Sequence, residues 1–87
     1  MPLFAIFRDT VYTPSALQSV EYNMACRAIH AAGYHLVVRA SPEEVLQRME
    51  ELFVVDIMGV SAYGEVGDHK LLSAAAKRVA EKMRLFD

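Results

Sequence analysis

The sequence predicts a small three-layer α/β domain of order βαβαβα, with a short, mostly parallel three-stranded sheet. Three observations predict it. Apolar runs of strand length recur at 3–7, 36–38 and 54–61; stretches with helical periodicity separate them; and proline, glycine and capping residues punctuate the joins. Residues 1–87 then form a single α/β domain, a length that one core can serve without disulfides or metals.

Leu3 to Phe7 is continuously apolar and is halted by Arg8-Asp9-Thr10, which reads as a strand covered on both faces. Thr13-Pro14-Ser15 then offers two helix starts. Either Thr13 caps with Pro14 at the first helical position, or Ser15 caps in a box with Gln18. The first helix runs to about Ala32 and stops at Gly33, a residue suited to the left-handed position after a helix. Leu17, Val20, Met24, Ala28 and Ala31 make its inner stripe. Leu36-Val37-Val38 is the second strand.

Ser41-Pro42-Glu43-Glu44 reads as a capping box with two acids at a helix start. The second helix carries Val45, Leu46, Met49, Leu52 and Phe53 inward. Beyond Phe53 that stripe fails, and Val54 to Ser61 is expected to be the third strand. The alternative is an α+β fold with two strands and a longer middle helix reaching Met58. Gly64 and Gly67 break a loop, and Asp68 caps a last helix to about Phe86 with Leu72, Ala75, Ala76, Val79, Ala80 and Met83 inward. Strands joined through helices pair in parallel by right-handed crossovers. Order 2-1-3 is favoured, since it places helices on both faces of doubly apolar strands.

Composition narrows the function classes. At 54% hydrophobic and 23% charged, the chain is not a disordered acidic or basic segment. A net charge of −2 draws it neither to nucleic acid nor to anionic membranes. The N-terminal apolar run is too short for a signal peptide or a membrane span, so a cytoplasmic location is expected. Cys26, the single cysteine, reads as a buried thiol, and no zinc spacing is present.

Ligands of open parallel sheets bind beyond the strands' carboxyl ends. That rule gathers Arg8, Asp9, Ser61, Tyr63, Glu65, Asp68 and His69 on one expected rim, the last five in the glycine-hinged loop 61–69. Glu65 and Asp68 oppose a phosphate there, and no metal or cofactor motif appears, so none is expected. Glu21 and Asp56 fall within apolar faces and read as buried acids that need donors. The last helix carries Lys70, Lys77, Arg78, Lys82 and Arg84, yet Glu81 interrupts them and no aromatic offers base stacking, so a solvated face is expected.

With a surplus of apolar residues, two sheet edges to protect and no catalytic constellation, the sequence points to a non-enzymatic protein–protein interaction module, a homodimer. The alternative is a small-molecule or metal-binding protein, or a small enzyme, using loop 61–69.

Overall fold

The computed structural model describes residues 2–14, 19–56 and 58–84. Its main sheet is mixed and five-stranded, built from β1 (Leu3–Phe7), β2 (Thr10–Thr13), β3 (His35–Val38), β4 (Glu51–Asp56) and β5 (Gly59–Ala62). The spatial order is β3-β2-β1-β4-β5, and only the β2–β3 pair is parallel. Around it lie α1 (Val20–Ala31), α2 (Glu43–Arg48), a small hairpin of β6 (Glu65–Val66) and β7 (His69–Lys70), and α3 (Ala74–Arg84).

This architecture corrects the expected three-stranded, mostly parallel sheet and its 2-1-3 order. The longer-middle-helix alternative fails as well, because residues 51–56 are extended. The first correction lies at Arg8-Asp9, which is a tight turn rather than the end of a strand. Phe7 faces Thr10 across it, and the chain doubles back as β2, so Thr13 is a buried strand residue and not a helix cap. Arg8 takes φ 60°, a left-handed value that glycine usually supplies at the first place of such a turn. α1 begins after Ser19, whose hydroxyl accepts from Tyr22 N at 3.1 Å. The Ser15–Gln18 capping box and Leu17 lie outside the described residues. Gly33 does take a left-handed φ of 92°.

The second correction lies at Met49. α2 ends at Arg48 without glycine or proline, and Glu50 N donates to Ile6 O at 2.8 Å, delivering the chain into β4 beside β1. Ser41 makes no capping bond to this helix; the residue before it is Pro42. The stretch 54–61 is thus not one strand. β4 turns near Met58, and Gly59, with φ 118°, opens β5 opposite Asp56. Asp68 sits in the turn between β6 and β7 and does not start α3.

Alternation along the strands gives the sheet two unequal faces. One carries Phe4, Ile6, Val11, Phe53 and Val55 and packs on Tyr22, Ala25, Ala28 and Ile29 of α1 and on Ala75, Ala76 and Val79 of α3. The other carries Ala5, Phe7, Tyr12 and Leu52, with Val45 and Met49 from the short α2 region against them. Val20 and Leu72, expected inside, are exposed. Among the described residues, no helix is long and apolar enough to cross a membrane.

Candidate functional site

Because β2 and β3 are parallel and β1 is antiparallel to both β2 and β4, the strands β2, β3 and β4 end along the same edge. The N-terminus of α1 meets that edge. A cleft of about 500 Å³ opens there between the start of α1, the β4–β5 turn and the end of α3. Three thioethers, Met24, Met58 and Met83, furnish much of its apolar lining, while Glu21, Asp56 and Arg84 bring charge. Asp56 Oδ1 accepts from Met58 N at 2.7 Å, an Asx-type bond that shapes the turn. Two carboxylates against one guanidinium suit a cationic or apolar guest better than a phosphate. A second cleft of about 350 Å³ follows the outer edge of β5 beside α3, with Tyr63, Leu71, Ser73 and Lys77 in its lining.

The expected rim is divided by the antiparallel topology. Arg8 and Asp9 form the β1–β2 turn, at the edge opposite the start of α1. Asp9 Oδ1 accepts from the Thr10 hydroxyl at 3.2 Å, and its Oδ2 lies 3.9 Å from His35 Nε2. Ser61 is exposed on β5 opposite Val54. Tyr63 lines the second cleft. Glu65, Asp68 and His69 share the β6–β7 hairpin, where His69 Nε2 is 2.7 Å from Met49 O and ties the hairpin to the end of α2. Among the described residues, no hydrogen bond or ion pair joins Arg8 or Asp9 to Ser61, Tyr63, Glu65, Asp68 or His69. Nor does any trio of His, Cys, Asp or Glu there come close enough to hold a metal ion. Neither expected buried acid is enclosed: Glu21 on the first turn of α1 and Asp56 at the end of β4 are both half-buried.

The acid that is buried is Glu51, 4% exposed, whose carboxylate accepts from Ala75 N at 2.8 Å and Ala76 N at 3.0 Å at the start of α3. Its sequence signal was the second of two adjacent carboxylates, directly before Leu-Phe-Val-Val, which the helical reading of 43–53 turned toward solvent.

Cys26 is half-buried on α1. Burial pushes its thiol above the ordinary 9.0, with the nearby Tyr22 hydroxyl acting in the opposite direction. Burial likewise raises Tyr22 above 10.0, and Cys26 adds to the rise. A thiol held protonated is a poor nucleophile. Both groups are neutral when protonated, so a raised folded-state pKa stabilises the fold below the unfolded value, and that contribution is lost as pH rises through the folded one. The urea midpoint should therefore stay level up to about pH 9 and fall by pH 10.5, less steeply in Cys26→Ala. An unchanged midpoint at pH 10.5 would contradict this.

No protein-family profile matches the sequence, and no curated protein does. Solved structures do match the fold. An aminotransferase from Brucella abortus bound to the cofactor PLP superposes with a TM-score of 0.83 and 18% identity, over 98% of this chain and 32% of that one. A branched-chain aminotransferase from Thermoproteus uzoniensis with norvaline gives 0.78 at 19% identity, over 95% and 30%. A fold IV transaminase from Curtobacterium pusillum gives 0.74 at 15%, over 99% and 33%. The fold is shared with part of a fold IV aminotransferase.

The chain spans about a third of the length of these structures. Such neighbours overturn the expectation of a non-enzymatic interaction module, since this arrangement of strands and helices recurs inside enzymes. The homodimer expectation, drawn from the apolar surplus and the edges of a three-stranded sheet, gains no support from these neighbours, and the sheet has five strands rather than three.

Proposed function

We propose that this chain builds one structural third of a pyridoxal-phosphate-dependent aminotransferase, serving as scaffold rather than as the holder of the cofactor. The supporting observation is the superposition on the PLP-bound aminotransferase over 98% of the chain.

The scaffold role follows from a test of fit. The cofactor demands a lysine for its imine and a cradle of amides or cations for its phosphate. The three lysines are Lys70, Lys77 and Lys82; the first two are exposed, and the third is half-buried on α3. None of them lines the cleft at the start of α1, where Glu21 and Asp56 would oppose a phosphate, and Lys77 in the second cleft has no further cation in the lining to hold one. The described residues do not fit the cofactor, and no catalytic step is assigned to them. A cytoplasmic location accompanies this reading.

An antibody against the chain should deplete an amino-group transfer activity from extracts of its source cells. The captured material, reduced with borohydride and digested, should carry a pyridoxyl group on a lysine of a peptide that residues 1–87 do not contain. Captured material with no pyridoxyl group would overturn the aminotransferase reading. A pyridoxyl group on Lys70, Lys77 or Lys82 would overturn the scaffold role.

A further inference from the structure

The sheet face on the α2 side carries a group of arginines laid over aromatic rings, outside both clefts. Arg8 lies 5.0 Å and Arg48 5.8 Å from the centroid of the Phe7 ring, and Arg39 lies 5.7 Å from that of Tyr12. The two rings are neighbours. Tyr12 stands opposite Ala5, two residues before Phe7 on β1, a diagonal separation of roughly 7–8 Å on one face. Two of the guanidinium groups thus reach the Phe7 ring from the β1–β2 turn and the end of α2, while Arg39 reaches the adjoining Tyr12 ring from the opposite edge of the sheet, where β3 ends.

From this geometry we infer that Arg8, Arg39 and Arg48 form a binding site for a multiply charged phosphate oxyanion, that is, inorganic pyrophosphate or the polyphosphate chain of a nucleotide. Stacking on a ring restrains a guanidinium plane while leaving its N–H edge free for oxyanion oxygens, so less side-chain freedom is lost on binding. Of the three, only Arg48 has a carboxylate partner among the described residues. That partner is Glu44 at 3.5 Å, with both side chains more than 60% exposed, an ion pair that an incoming anion can displace. Several linked phosphates match three cations spread over two rings better than one phosphate does.

The backbone supplies an independent observation. Arg8 holds a left-handed φ of 60° at a place where glycine is the unstrained choice. A strained arginine kept at the rim of a cationic group is explained by what its side chain does there. Asp9, Glu43 and Glu44 lie close by in sequence and limit the affinity, so binding is strongest at low salt.

Isothermal titration of the 87-residue chain with pyrophosphate at low ionic strength tests this. Saturable one-to-one binding is expected, weakened at least about fivefold in Arg39→Gln and in Arg8→Gly and strengthened about two- to threefold in Glu44→Gln, which frees Arg48. Arg78→Gln, on the α3 side of the sheet, should leave affinity unchanged. Arg8→Gly should also melt a few degrees higher, so that its lost binding is not a folding defect.

Pyrophosphate and ATP binding equally would mark the inorganic anion as the ligand, and ATP binding at least about tenfold tighter would mark a nucleotide. Absence of saturable binding at about 10 mM would overturn the inference, since at that level not even millimolar affinity remains. Equal affinity in Arg8→Gly, Arg39→Gln and the parent chain, an equal loss in Arg78→Gln, or competition by phosphate-free adenosine would overturn it too.

Discussion

Phe53→Ala should cost about 3–5 kcal/mol of folding stability. Phe53 is fully buried at the centre of β4. Its ring stacks on Phe4 of the neighbouring strand at 5.3 Å, and Phe4 in turn stacks on Tyr22 of α1 at 6.2 Å. These three rings join the sheet to its helices, and α1 and α3 leave little room for the gap to close. A domain of this length holds roughly 4–13 kcal/mol in total, so one such cavity removes a large share of it. Phe53→Leu keeps most of the volume and should cost less than about 2 kcal/mol. Urea unfolding followed by far-UV circular dichroism gives both values. A loss below about 1 kcal/mol for alanine would mean that the ring is not enclosed as placed.

What the sequence disclosed follows the reach of each signal. β1 and β3 were legible because their apolar runs are short and end at polar residues or glycine. The middle of α1 and the left-handed Gly33 were legible for the same local reasons. The β1–β2 hairpin was not, because its positive φ falls on Arg8, and a turn lacking glycine or asparagine looks like a strand end.

The end of α2 was hidden by coincidence, since Met49, Leu52 and Phe53 satisfy a helical stripe as well as a strand. What decides it is the bond from Glu50 N to Ile6 O, a partner 44 residues away that no local pattern can register. Losing the hairpin and misplacing β4 together turned a mostly antiparallel sheet into a mostly parallel one. That error carried Arg8 and Asp9 to the same rim as loop 61–69. The likeness to aminotransferases lay beyond sequence reading, because at 15–19% identity it resides in the path of the backbone.

Glu51→Ala should cost about 3 kcal/mol, a loss made of two charge-assisted hydrogen bonds and the favourable charge at a helix start. α3 opens after Ser73, whose carbonyl receives the first helical bond from Lys77 N at 3.1 Å. An N-cap side chain would serve the amides at the second and third helical positions. Those are Ala75 and Ala76, and Glu51 serves both from β4 across the core. The carboxylate therefore caps the helix and fastens it to the sheet at once. Alanine leaves two amides without acceptors where water enters poorly, and the melting temperature should fall by roughly 10–20 °C.

Glu51→Gln keeps one oxygen but turns an NH₂ toward a donor, so it should lose more than half as much. The discriminating variant is Glu51→Ala combined with Ser73→Asp, which supplies a carboxylate to the same amides from within the helix. Recovery of about 1 kcal/mol or more is expected, since a local cap restores the hydrogen bonds but not the link to β4. Full recovery would show that the link contributes nothing, and no recovery would show that capping was not the role of Glu51.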